Sequence, residues 1–254
     1  MSYSVEPPLT SLDTKSFSGQ ATFNGIDQPV CGNYEISKSG HHQADSNLDW
    51  SLSTSEFSAF ATAWRTGSVW PVDPNPIPVS NVSNSAYLWL VGGDYFYDPA
   101  ESPPQVAGNP ASPELPVQIG AAVSTLSQTE YVPGQPVIVT IEVGVDSGAH
   151  AYATEDSPPS DWLVSDISDG GIFDSVNGKV KWGPYSDTVS RNLQYQVTPP
   201  LDESGGVSFV GLLAIDGGSQ LIGGDRTLSV DNDWAIFSDG FESGDTTMWS
   251  RTVP

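Results

Sequence analysis

Positive charge is scarce in this chain of 254 residues: eight Lys and Arg stand against thirty-one Asp and Glu, a formal net charge of −23. A field of that sign repels nucleic acid and anionic lipid, so both drop out as partners. Cysteine is nearly absent, and the single Cys31 can form neither an intramolecular disulfide nor a thiolate metal cluster. Long apolar runs are missing too. The longest, Val207 to Ile215, falls far short of the roughly twenty residues that a helix needs to span a bilayer. The three histidines, His41, His42 and His150, have no second ligand at zinc spacing, so no zinc site is expected. No Gly-x-Ser-x-Gly elbow occurs. Acidic neighbours such as Glu155 and Asp156 are unavoidable among so many carboxylates and read as solvated surface. The chain is therefore not expected to be an enzyme.

Turn formers are abundant instead. Twenty-five Gly and twenty-one Pro, with many Ser, Thr, Asp and Asn, describe short strands joined by many turns. Val137, Val139, Ile141 and Val143 alternate against Ile138, Thr140 and Glu142, the period of a half-buried strand. Further runs at 150–154, 162–167, 179–182, 193–197, 207–215 and 226–230 make about seven strands, which is the pattern of an immunoglobulin-like sandwich over residues 121–230. Trp162 and Trp182 are expected in its core.

The chain also repeats itself. Shifted by 192 positions, Tyr3, Val5, Pro7, Pro8, Leu9, Ser16, Phe17, Gly19, Gly25, Gln28, Gly32 and Ser37 fall on identical residues from Tyr195 to Ser229. The early copy lacks the strands that precede the later one, so residues 1–37 read as the C-terminal half of a sandwich, truncated from a longer polypeptide. The segment from Asp156 to Asp174, followed by Gly178-Lys-Val-Lys-Trp-Gly-Pro184, resembles the Ig-like repeats of large bacterial secreted and surface proteins. That resemblance implies a stalk or spacer, in an extracellular or cell-surface location.

Between the copies lies Asp45-Ser-Asn-Leu-Asp-Trp-Ser-Leu-Ser-Thr-Ser-Glu56. Calcium takes six to eight hard oxygens, and an EF-hand loop supplies them from positions 1, 3, 5, 7, 9 and 12. Here those positions hold Asp45, Asn47, Asp49, Ser51, Ser53 and Glu56, with the Ser51 carbonyl and a bidentate Glu56 in the expected roles. Phe57, Phe60, Ala61 and Trp64 then recur at helical spacing up to Gly67. Position 6 is Trp50 in place of glycine, a substitution costing about 1–2 kcal/mol in left-handed backbone. The same residues also admit a plainer reading, a polar loop that caps a helix through Ser53 or Thr54.

The segment from His42 to Phe57 resembles the calcium-loop-and-helix half of type I dockerins. The resemblance implies a module at 38–98 with a second, degenerate hand, in which Asp73 and Asn75 take positions 1 and 3, Ile77 and Asn84 replace two ligands, and a helix runs from Ser85 to Val91. That helix would pack on the first through Tyr87, Leu88 and Leu90. It also implies a cohesin-like or other surface protein as partner. Residues 99–120 read as a Pro-rich linker with limited hinge motion. Residues 231–254 form an acidic-aromatic tail suited to a sorting tag, a docking strand or a final sandwich strand. The expected protein is mainly β with a small helical module, non-catalytic, calcium-binding, and concerned with attachment or assembly. The alternative is a carbohydrate-binding accessory module of a secreted polysaccharide hydrolase, with Trp89 and Tyr95 as exposed sugar contacts.

Overall fold

The computed structural model describes residues 40–97 and 120–231, with short segments at 15–16, 20–23, 26–29, 35–36 and 106–108. Cys31, most of the 99–120 linker and the tail beyond 231 lie outside the described residues, as does most of the 1–37 half-sandwich.

The repeat nevertheless has a structural counterpart. Strand β1 (Lys15–Ser16) pairs with β4 (Glu35–Ile36), and β2 (Gln20–Phe23) pairs with β3 (Ile26–Pro29). Two helices follow, α1 (Thr54–Thr66) and α2 (Val79–Leu90), and then the paired strands β5 (Tyr95–Tyr97) and β6 (Val106–Gly108). The remaining strands are β7 (Gly120–Leu126), β8 (Glu130–Tyr131), β9 (Val137–Val145), β10 (Tyr152–Ser157), β11 (Leu163–Ser165), β12 (Ile172–Asp174) and β13 (Lys179–Tyr185). They continue with β14 (Arg191–Thr198), β15 (Val207–Ser208), β16 (Val210–Ile215), β17 (Gly218–Leu221), β18 (Gly223–Gly224) and β19 (Thr227–Val230). Lys15 opposite Ile36 corresponds, 192 residues on, to Val207 opposite Leu228. Gln20 opposite Pro29 likewise corresponds to Leu212 opposite Leu221. Both copies therefore use the same registers.

Two five-stranded sheets, ordered β12-β13-β10-β16-β17 and β11-β14-β9-β7-β18, face each other as a β-sandwich, and β15, β19 and β8 form a small third sheet. The alternation along β9 buries Val137, Val139, Ile141 and Val143, while Ile138 and Glu142 stay exposed. Trp162 and Trp182 join the core as expected, and each keeps its indole N–H bonded, to Glu203 at 2.8 Å and to the Ser168 carbonyl at 3.0 Å. This satisfies the one polar atom that burying an indole would otherwise leave unpaired.

Glu155 and Asp156 depart from the expectation of a solvated surface, since both are buried. Successive residues of a strand point to opposite faces. Asp156 turns inward, accepting from the Tyr195 hydroxyl at 2.8 Å and pairing with Arg226. Glu155 turns outward and pairs with Lys179 at 2.5 Å. Each carboxylate has its own cation, so the two do not act as a catalytic pair.

The outer face of the β10 sheet is covered by the helical unit, which leaves β10 buried on both sides. Ala153 and Ala214 from the sandwich share one apolar cluster with Leu52, Phe60, Trp64, Val79, Val82, Tyr87 and Leu88. Small residues allow the close approach. Gly217, at φ +101°, brings its N–H to Ser83 Oγ at 3.0 Å, and a Cβ there would meet the Asn84 side chain at 2.8 Å. Arg65 adds bonds to the carbonyls of Gly183 and Gly170. The helical unit is thus seated on the sandwich by a shared core as well as polar bonds, where the sequence suggested units separated by a hinge.

Candidate functional site

The loop before α1 is built from its own side chains. Ser53 is the N-cap of α1, its hydroxyl accepting from the Glu56 N–H at 3.3 Å while Glu56 Oε2 accepts from the Ser53 N–H at 3.1 Å. This reciprocal capping box satisfies two N–H groups that a helix start leaves open. Gly67 closes the other end in the left-handed conformation, at φ +68°. The helix therefore begins and ends where its sequence signals place it.

Asp45, at 1 % exposure, organises the loop upstream. Its Oδ1 accepts from the N–H groups of Leu48 at 2.7 Å and Asp49 at 3.3 Å. Its Oδ2 accepts from the Trp50 N–H at 3.1 Å and the Tyr95 hydroxyl at 2.5 Å. Asn47 accepts from the Asp49 N–H and donates to the Asp49 carboxylate, which in turn accepts from the Ser51 N–H. Leu48 and Trp50 sit at φ +62° and +65°, so the left-handed turn expected at position 6 forms despite the indole. Trp50 is held there by its Asp45 bond and by its carbonyl, which accepts from Tyr95 N–H at 3.1 Å.

Whether calcium fits depends on free oxygen lone pairs. Besides closing the cap, Glu56 Oε1 accepts from the Ser46 N–H and hydroxyl, both at 2.9 Å, and from the Asn47 N–H at 3.3 Å. Its Oε2 also accepts from the Ser53 hydroxyl at 2.8 Å. All four oxygens of Asp45 and Glu56 are thus engaged by the chain's own donors. Among the described residues, no three His, Cys, Asp or Glu side chains converge as a metal cluster. In this conformation Glu56 serves as the N3 member of the capping box, and Asp45 gathers the N–H groups of Leu48, Asp49 and Trp50. Burial pushes the Glu56 carboxyl up, but the Ser53 and Ser46 donors outweigh it and hold the group below its ordinary value.

Sequence reasoning missed the groups behind the loop. The His42 N–H donates to the Tyr95 hydroxyl at 3.0 Å, and that hydroxyl donates to Asp45. His42 Nδ1 accepts from the Ala44 N–H at 3.0 Å, and burial lowers the imidazole to about 4, so it stays neutral near pH 7. Burial and the Asp45 bond raise the Tyr95 phenol. The signal for these contacts is long-range: Leu52 donates to the Gly93 carbonyl at 2.9 Å, which lays Tyr95 alongside the loop.

The second hand is not there. Helix α2 starts at Val79, not Ser85, and Asn84 lies inside it, its amide reaching the Asp216 carbonyl at 3.5 Å. Asp73 and Asn75 shape a turn, in which Asn75 bonds the Trp70 N–H and carbonyl and donates to Asp73. Tyr87 and Leu88 pack as expected, but Leu90 is exposed. Of the two expected sugar contacts, Tyr95 is buried, whereas Trp89 is half-buried, stacks on Phe57 at 5.0 Å and donates to Thr54.

A second polar cluster lies where α1 ends on the sandwich. Lys181 Nζ donates to Asp174 Oδ2 at 2.7 Å and to the Trp64 carbonyl at 2.5 Å. Asp174 Oδ1 accepts from the N–H groups of Val176 at 3.0 Å and Asn177 at 3.2 Å. Burial pushes the Asp174 carboxyl up, yet Lys181 and Asn177 together hold it below its ordinary value.

No protein-family model matches the chain, and no curated protein does. Among solved structures, a cohesin from Clostridium acetobutylicum is 15 % identical, covering 45 % of this chain and 94 % of its own, with a TM-score of 0.30. The second type II cohesin module of a cellulosomal adaptor scaffoldin from Acetivibrio cellulolyticus is 7 % identical over 45 % of this chain and 99 % of its own, also at 0.30. A non-cellulosomal cohesin from the archaeon Archaeoglobus fulgidus is 16 % identical over 45 % and 95 %, at 0.30. Likenesses of this size carry no argument about function.

Proposed function

We propose that the chain is a non-catalytic attachment and assembly module of an extracellular or cell-surface protein, in which a loop-and-helix unit recognises the face of a β-sandwich. One observation carries this reading: the helix pair covers the outer face of the β10 sheet through a shared apolar cluster, close backbone approach at Gly217 and the Lys181 bonds to Trp64 and Asp174. That combination of an apolar centre with a polar rim is the anatomy of a recognition surface. Within this chain the surface is engaged in cis, so an outside partner competes with the protein's own sandwich.

Calcium belongs to this proposal as a rival of the loop's own hydrogen bonds. Asp45 and Glu56 can serve an ion only by giving up donors they now hold, so binding is expected to be weak and coupled to rearrangement of the loop.

The test uses the whole chain immobilised beside an Ala214→Leu form, whose larger side chain loosens the helical seat. Purified cohesin-type β-sandwich modules are passed over both, with calcium and with EDTA. The loosened form is expected to bind more, and more with calcium. Absence of binding by both forms overturns the attachment reading. Equal binding with and without calcium removes the ion from it.

A further inference from the structure

The duplication places two versions of one strand in the same chain, and the helical unit sits on the later of them. Strand β16 uses its two faces differently. Leu213 and Ile215 enter the sandwich core, while Ala214 is buried in the cluster under the helices and Leu212 packs against it. The hairpin that follows brings Gly217 against Ser83 and Asn84 of α2, and the Asp216 carbonyl accepts from the Asn84 amide.

In the earlier copy the shared registers put Ala21 and Phe23 at the places of Leu213 and Ile215, and Gln20 and Thr22 at those of Leu212 and Ala214. Gly25 matches Gly217. Through the duplication the inward positions stay apolar and the outward ones turn polar. Thr22 is exposed, whereas Ala214 is fully buried. Asp27 stands opposite Thr22 where Ser219 stands opposite Ala214, and residues directly opposite share a face of the sheet.

We propose that Leu212 and Ala214 are the specificity determinants of the helical seat, and that a strand with the outward residues of β2 is refused. The cluster around Ala214 includes Val79, Val82 and Leu88, whose side chains have no hydrogen-bonding atom. A threonine hydroxyl or a glutamine amide placed there gives up water and gains no partner. A carboxylate at the place of Ser219 adds repulsion, because residues 40–97 carry five carboxylates and one arginine. The inward positions contribute nothing to the choice, since both copies keep them apolar. Resting on the attachment reading, this also fixes the kind of outside partner: a β-sandwich with apolar outward residues on the strand that leads into a glycine hairpin.

Hydrogen exchange on the full chain tests the seat with two matched pairs of variants. Ala214→Thr and Ala214→Val add side chains of the same shape, so crowding affects both alike and only the hydroxyl separates them. Leu212→Gln and Leu212→Met make the same comparison at the edge of the cluster, where either variant should fold. The polar member of each pair is expected to quicken exchange across 54–66 and 79–90 by about tenfold more than its apolar partner, the size of one unpaired buried polar group. Strands β7 and β9 should keep their protection. Equal exchange within both pairs overturns the proposal, because the seat then reads shape and not polarity. Equal loss of protection in β7 and β9 overturns it too, because the sandwich itself has then loosened. Both outcomes are read within one chain, so they stand apart from the attachment reading, which binding of cohesin-type modules decides.

Discussion

The hydroxyl of Tyr95 donates to Asp45 across fifty positions of sequence, at 2.5 Å, and so fastens the loop before α1 to the strand that follows α2. The same oxygen accepts from the His42 backbone, so one phenol ties two residues of the stretch before α1 to β5. The loop is therefore closed from behind, on the side where no spacing rule for calcium ligands applies.

Tyr95→Phe should remove both bonds while preserving the ring. Leaving the buried His42 N–H unpaired and Asp45 with one donor fewer should cost about 1–3 kcal/mol, measured as a lower midpoint in urea. Asp45 Oδ2 then has a vacant lone pair, so calorimetric titration with calcium should give a larger response in the variant than in the wild type.

Glu56→Ala separates the capping role from any role with a metal. With EDTA present throughout, losing the cap and the contacts to Ser46 and Asn47 should lower stability by about 1–2 kcal/mol. A variant as stable as the wild type under chelation would show that the carboxylate contributes little without the ion.

Acidification should weaken the fold in two stages. His42 is depressed to about 4 from an ordinary value of 6.5, so the unfolded chain takes up a proton there before the folded one does. Its contribution is complete above pH 6.5 and drains away as pH falls toward 4, a change on the order of 3 kcal/mol. Glu56 and Asp174 act lower down. Their folded values lie below the ordinary 4.5 and 3.8, so the stability they add is present above those values and disappears as pH falls past the folded ones. Urea midpoints from pH 8 to pH 3 check both stages, and His42→Leu should flatten the first.

Ala214→Leu should unseat α2. Ala214 is fully buried in the cluster between the helix and β16, and added methylenes there are expected to cost about 1–3 kcal/mol. Hydrogen exchange should quicken across 79–90 while β7 and β9 in the opposite sheet keep their protection.

Much of the fold is legible where a local rule meets a local cause. The alternation in β9, the burial of both sandwich tryptophans, and α1 with Ser53 before it and Gly67 after it follow from period, size and capping chemistry. What escapes local reading is whatever a distant segment decides. Helix α2 begins with Val79-Ser-Asn-Val-Ser-Asn84, a poor helix former by propensity, and its helical state comes with burial of that stretch between α1 and the β10 sheet. Glu155 and Asp156 look like surface acids until Lys179 and Arg226 arrive from other strands. The loop is the sharpest case. Its residue types suit a cation at six positions, and the same carboxylates suit backbone N–H groups equally well. Pattern alone does not separate a metal cage from a helix cap.

Strand β10 is flanked by β13 and β16 in its own sheet, by the opposite sheet beneath and by the helices above. Its amides should be the slowest in the molecule to trade hydrogen for deuterium. They guard one another only while the helical roof stays on, so any partner that lifts the roof also softens the innermost layer of the sandwich.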